Sequence, residues 1–244
     1  MNARITNQIA TAFFWFSGIL IFGLLLVMLG YIFWKGLPVL TPKFLFGMPS
    51  DITEGGGVGP QLFNSLYILA LSMLVTAPIG LGAGIYLSEY AEENRVTKMI
   101  RLSVESLATV PSIVLGLFGM IIFLNLMGLR FSILAGSLSL ALLNLPVLVR
   151  VTEEAFRSVP VHHRAASYAL GATKWQTLWR VLFPSALPGI MTGMTLVINR
   201  AIGESAILIF TAGTAVSRFL PDFDVMAGGE TLAVHLWYVM GVGL

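Results

Sequence analysis

The stretch VINRAIGESAILIF, residues 197 to 210, places Arg200 and Glu204 inside a run otherwise apolar enough to sit in lipid. A charge at the bilayer centre costs about 2.5–3.5 kcal/mol on insertion scales, so it persists only when paired or facing a polar cavity. The two are at i and i+4, hence on one face of a single spanning helix and within reach of each other. The order Arg before Glu opposes the arrangement the helix dipole favours, which weakens the reading that the pair exists only to neutralise itself. Asn199 and Ser205 add polar groups and Gly203 removes bulk between the charges, so the group reads as a polar notch. Two chemistries are open. Either the pair locks its helix to a neighbour, or Arg200 offers a planar, permanent charge for bidentate contact with an oxyanion while Glu204 keeps the anion from being held too tightly to leave.

Other chemistries find little support. With no cysteine there is no disulfide, iron–sulfur ligation or thiolate zinc site, and His162 and His163 are adjacent with no carboxylate at ligand spacing, so no metal site is expected. The run GGGVGP lacks the Gly-Lys-Ser/Thr ending and the preceding strand of a phosphate cradle, and reads as a flexible lead into a helix. No catalytic residue is assigned.

The elements that must position these residues are membrane spans. Hydrophobic residues make up 57% of the 244, charged residues 11%, and the mean hydropathy is +0.87, far from the balance of a soluble domain. Apolar segments long enough for a bilayer fall at about 11–34, 62–88, 104–129, 131–149 and 188–212. The first is too long for a signal peptide and is read as a retained span. Helices are the spanning form these segments allow, so the fold class is all-α, a polytopic bundle. Gly80 with Gly84, and Gly116 with Gly119, mark small-residue packing faces, and Pro78, Pro111 and Pro146 lie within spans.

Orientation follows the basic residues. With five alternating spans, Arg4, the group Arg95, Lys98 and Arg101, and the group Arg150, Arg157, Arg164, Lys174 and Arg180 share one side; Lys35, Lys43, Arg130 and Arg218 take the other. The amino terminus and the 150–187 segment are expected to be cytoplasmic. The chain divides into an N-terminal span with its external loop, 1–60, and a core, 61–244. The last stretch, ETLAVHLWYVMGVGL, is too short to cross and reads as an external amphipathic helix ahead of a sixth span, or as the end of the protein. Asp222, Asp224 and Glu230 in the last external loop would repel an anion and are read as meeting a soluble delivery protein; Glu105 gets no role.

The 150–187 segment is too patterned for a loop. Thr152 reads as a cap for TEEAFRSV, closed by Pro160; HRAASYAL reads as a short helix ended by Gly171; and ATKWQTLWRVLF, with Trp175, Leu178, Trp179 and Leu182 at helical spacing, reads as a second helix stopped at Pro184. This helix–Gly–helix elbow either passes force to a docked partner or lies on lipid headgroups.

AASYALGATKWQTLWRVLFP resembles the cytoplasmic coupling motif of bacterial ABC importer permeases, written Glu-Ala-Ala, three residues, Gly, nine residues, Ile, any, Leu-Pro. Gly171 and Pro184 hold the spacing, Val181 and Phe183 stand in conservatively, and Ala166 matches; Ala165 replaces the usual Glu and Ser167 the second Ala. The resemblance implies that this short helix seats in a groove of an ATPase subunit, with Ala165, Ala166, Ser167, Gly171, Trp175 and Pro184 as coupling residues and one salt bridge to the ATPase given up at Ala165. SLATVPSIVLGLFG, ASYALGATKWQT and NRAIGESAILIFTAG are together similar to the PstA-type permeases of bacterial phosphate importers, from about residue 60 onward.

That resemblance implies a type I ABC importer permease of the cell inner membrane with six spans, so the chain is expected to stop before the last. It implies phosphate as cargo, with Arg200, Glu204, Asn199 and Ser205 along its path. It also implies a second permease subunit (PstC-type), two copies of a cytoplasmic ATPase (PstB-type) and an external phosphate-binding protein (PstS-type). No cofactor is expected in this chain; ATP and Mg belong to the ATPase. Three alternatives stay open: a permease for another oxyanion such as sulfate or molybdate, an ion-coupled secondary carrier, and a non-transporting assembly protein. A carrier predicts internal inverted repeats; no convincing one is visible, and the elbow would be unexplained.

Overall fold

The structure, a computed structural model, describes residues 3–49, 56–216 and 221–242; Arg218 lies outside the described residues. All regular structure among them is helical. The chain divides into two compact units, Met1–Gly57 and Val58–Leu244. In the first, α1 (Ala3–Gly36) is apolar around its whole circumference, and none of its described residues is buried. Its 34 residues are about 51 Å long at the helical rise, ample for a bilayer. A 3-10 turn, Leu37–Val39, and a short α2 (Pro42–Phe46) follow, the latter capped by Thr41, whose hydroxyl accepts the Phe44 amide at 3.2 Å.

The second unit is built around α3 (Gly59–Ile85), prolonged by a π-helical turn at Tyr86–Tyr90, and α6 (Ile133–Arg157). A residue at Gly80 would press on Leu148 and one at Gly84 on Thr152, so the two helices run parallel in matched four-residue steps. Along α3 the positions Asn64, Ile68, Ser72, Thr76, Gly80 and Gly84 are all buried, one per helical turn. Lipid offers no hydrophobic drive between helices, so small side chains that allow close approach supply the packing.

Between them in sequence come α4 (Arg95–Ala108) and α5 (Ser112–Gly119), the latter extended by a π turn at Met120–Leu126. After α6 follow α7 (Val161–Ala169), α8 (Lys174–Thr177), a π turn at Leu178–Leu182, α9 (Phe183–Gly203), α10 (Ala206–Thr211) and α11 (Leu232–Val242). The α9 helix runs antiparallel to α6, with Gly189 over Ala155 and Gly193 over Val151, while α10 seats against Gly116 of α5 through Ile207. One core gathers Ile68, Leu115, Leu140, Leu143 and Leu208; a second gathers Phe156, Leu178, Leu182 and Ile190.

Four expectations are corrected. The 104–129 span is a pair of helices bent by 100°. Pro111 lacks an amide hydrogen and disfavours helix at Val110, so α4, capped by Asn94 through the Thr97 amide at 2.9 Å, stops at Ala108 and restarts as α5. Thr152 caps nothing: α6 runs unbroken to Arg157, and Thr152 is fully buried in its interior. Pro184 does not stop a helix. The preceding π turn, in which the Phe183 amide reaches back to Leu178, loosens the register and helical backbone continues from Lys174 to Gly203. The last helix is apolar on all sides rather than amphipathic, with Leu236, Trp237, Tyr238 and Met240 exposed and, among its described residues, only Val234 fully buried.

Candidate functional site

The fifth apolar segment is broken where the charges sit. Residue 204 takes an extended conformation (φ −76°, ψ 123°), so α9 ends at Gly203 and α10 begins two residues on. Arg200 occupies the last turn of α9, where a cation complements the unpaired carbonyls. Glu204 lies outside that helix, and its Oε1 accepts the Ile207 amide at 3.4 Å across the first turn of α10. The i, i+4 pairing on one helical face is thus corrected: among the described residues no ion pair or hydrogen bond joins Arg200 to Glu204 or to any other side chain. Arg200, Glu204 and Ser205 are half-buried and Asn199 is exposed. Ser205 is the residue before α10, its carbonyl accepting the Ile209 amide at 3.0 Å. A Cβ at Gly203 would meet nothing within 4 Å, so the break is open on that side.

The elbow has the helix–Gly–helix form. Gly171 adopts φ +78°, its amide reaches Tyr168 O at 2.9 Å and the Ala172 amide reaches Ser167 O at 3.2 Å, the paired bonds of a glycine-terminated helix end. Thr173 then opens α8 with a reciprocal cap to Gln176. The arms are clasped by Ser167 and Thr177, buried hydroxyls 2.8 Å apart. Ala165, Ala166, Gly171, Trp175 and Pro184 are exposed, whereas Ser167 is turned inward, so five of the six sequence-selected coupling residues face outward. Leu178 and Leu182 are buried in the second core, while Trp175 and Trp179 stack edge to face on the open side. Lys174 Nζ sits 4.5 Å over the Tyr90 ring at the end of the α3 extension.

Ion pairs not expected from the sequence lie at the elbow and between α4 and α6. Arg164 binds Glu89, Nη2 to Oε1 at 2.6 Å, and donates to Phe156 O and Val159 O at 2.7 Å each. Arg101 bridges Glu93 at 2.9 Å and Glu153 at 2.7 Å, and Arg157 reaches the same two carboxylates at 2.9 and 3.2 Å. Arg150 adds Glu154 at 2.9 Å and Glu105, which the sequence left without a role, at 3.3 Å. The network fastens α4 to α6. The Arg101 hydrogen bond to Glu93, helped by Arg157, holds that carboxyl below its usual value against the opposing effect of burial. The signal available in the sequence was arginines and glutamates recurring on both sides of the turns at 89–101 and 150–164, but pairing across that distance is invisible before folding.

At the other end, Glu230 is 1% exposed, accepts Gln61 Nε2 at 2.8 Å and lies 2.8 Å from His235 Nδ1. It is therefore corrected from a surface acid to a buried anchor of the last loop on α3; Asp224 remains exposed.

Comparison with known proteins was made on this framework. The family described as "Binding-protein-dependent transport system inner membrane component" matches residues 77–227. The probable ABC transporter permease protein YqgI of Bacillus subtilis is 43% identical over 254 residues, covering 100% of this chain and 86% of that protein. The phosphate transport system permease protein PstA of Mycobacterium leprae is 38% identical over 234 residues, covering 93% of this chain and 75% of that protein. Among solved structures, the methionine ABC transporter MetNI in an inward-facing conformation aligns with a TM-score of 0.58 at 22% identity, over 75% of this chain and 88% of that one. At that identity the likeness establishes the fold.

Proposed function

Because the chain belongs to the inner membrane component family of binding-protein-dependent transport systems, and is thus a multi-pass permease subunit of an ABC importer on the type I fold, we propose that its cargo is inorganic phosphate. A permease of this kind works with an ATPase and a substrate-binding protein; we assign the PstB and PstS types to these roles and a PstC-type permease as the second half of the pathway. The reading rests on the likeness to PstA proteins over nine-tenths of the chain, supported by Arg200, which ends α9 beside the break before α10 and has no carboxylate partner among the described residues. A permanently charged planar fork suits a tetrahedral oxyanion, and Glu204 at the break limits how tightly the anion is held.

The side that carries Arg101, Arg150, Arg157 and Arg164 is taken as cytoplasmic, with the amino terminus there as well. ATP binding closes the two ATPases and draws the elbow formed by α7 and α8 inward; α3, α6 and α9 tilt with it, and the region of Arg200 opens to one side of the membrane and then the other. ATP hydrolysis is placed on the ATPase, with its Mg, and no bond is made or broken by this chain.

The test is ATP-driven uptake of labelled phosphate into vesicles carrying the complete complex and the loaded binding protein, with sulfate and molybdate as competitors. Uptake that requires the ATPase and resists both competitors is expected. ATP-driven uptake of sulfate or molybdate instead assigns a different oxyanion, and uptake without the ATPase assigns an ion-coupled carrier.

A further inference from the structure

We infer that Arg164 is a positioning residue that joins α7 to the ends of α3 and α6 as one rigid body, so that force applied to the elbow reaches the spans instead of bending the elbow away from them. The inference rests on the elbow's being the ATPase contact, as proposed above. Arg164 uses all three nitrogens of its fork. Nη2 meets Glu89 Oε1 at 2.6 Å and Phe156 O at 2.7 Å, Nη1 meets Val159 O at 2.7 Å, and Nε meets Glu89 Oε2 at 3.4 Å. The side chains of Arg164 and Glu89 are 20% and 7% exposed, so water competes little for the contact.

The three partners come from separate places. Glu89 lies in the π turn that prolongs α3, Phe156 is in the last turn of α6, and Val159 is in the connection to α7. The carbonyls at the end of α6 are among those a helix leaves unpaired, and its negative dipole end favours a cation there. Among the described residues, the other polar side-chain contact from α7 is Ser167 to Thr177, which reaches only α8. Arg164 is thus the polar link from the first arm of the elbow to the two parallel helices. Lysine offers a point charge where the geometry uses a planar fork toward three acceptors at once.

The absence of cysteine allows site-specific labels. Glu92→Cys and His162→Cys, both exposed, place spin labels beside the end of α3 and on α7, and their separation is measured in the complete complex with and without a non-hydrolysable ATP analogue. The wild-type separation is expected to stay unchanged while the transporter closes. With Arg164→Ala it shifts or broadens on nucleotide binding, phosphate moved per ATP falls at least about tenfold, the factor carried by one charged hydrogen bond, and Arg164→Lys recovers part of the loss. A separation that changes in the wild type, or coupling and separation that are unaltered in Arg164→Ala, overturns the inference. Should Arg164→Ala fail to assemble, Glu89→Gln, which preserves shape and removes the charge, carries the same expectation. The label separation requires no substrate, so a complex that fails to import phosphate refutes the cargo and leaves this inference to its own readout.

Discussion

Glu204 stands outside the helix that carries Arg200: α9 ends at Gly203, and the Glu204 carboxylate turns forward to the Ile207 amide, 3.4 Å away, in the first turn of α10. Four residues of separation, which would pair the two on a continuous helix, instead place them on either side of a break. The two charges therefore act separately. Exchanging them, Arg200→Glu with Glu204→Arg, is expected not to restore uptake lost in either single variant; restoration would mark a reciprocal pair.

Glu204 also has a capping role that can be separated from its charge. Glu204→Gln retains an acceptor for Ile207, whereas Glu204→Ala removes it. Thermal unfolding of the purified complex should show the Ala variant about 1 kcal/mol less stable and the Gln variant unchanged within about 0.5 kcal/mol. Equal losses would show that the charge, not the cap, holds the break.

The parallel packing of α3 on α6 depends on glycine at a point of contact. A Cβ at Gly84 would lie 2.5 Å from Thr152 Cβ and 2.7 Å from Val149 O, whereas one at Gly82 meets nothing within 4 Å. Gly84→Ala should destabilise by about 1–3 kcal/mol, the usual cost of overpacking, and Gly82→Ala should be neutral or stabilising in the same melting experiment. Equal behaviour of the two would contradict the close approach.

Acid should loosen the hold of α4 on α6. Arg101 holds the Glu93 carboxyl below its ordinary value of 4.5, so its contribution is complete above that value and fades as pH falls through the lower folded one. Melting temperature is expected to drop as pH falls below about 4.5, and Glu93→Gln should lower it at neutral pH while flattening that drop. An unchanged slope in the variant would remove Glu93 from the network.

Much of this was legible in sequence because lipid imposes a strong rule: long apolar runs must be helices. The misreadings share a cause. Thr152 beside two acids satisfies the local pattern of a helix start, but burial against Gly84 decides that α6 continues through it. Pro184 satisfies the local pattern of a stop, but a π turn absorbs it. The break at Glu204 has no proline to announce it; Gly203 was its one local sign. Glu89 and Glu230 are buried by partners 75 and 169 residues away, a separation at which no local pattern reports.

The elbow offers a backbone test. Gly171 holds φ +78° with open space around it, so Gly171→Ala adds only the left-handed strain of about 1–2 kcal/mol. The variant should melt lower and hydrolyse more ATP per phosphate moved. An unchanged ratio would show that the turn's geometry does not matter to coupling.

We place Arg200 on the substrate path. The most direct measurement is phosphate uptake by vesicles carrying the complete complex with Arg200→Gln, after intact assembly and ATPase docking have been verified. The account predicts that uptake falls at least about tenfold, in line with the loss of a charged contact, while the complex stays assembled. Uptake at the wild-type rate would contradict it and place the anion's route along another face of the bundle.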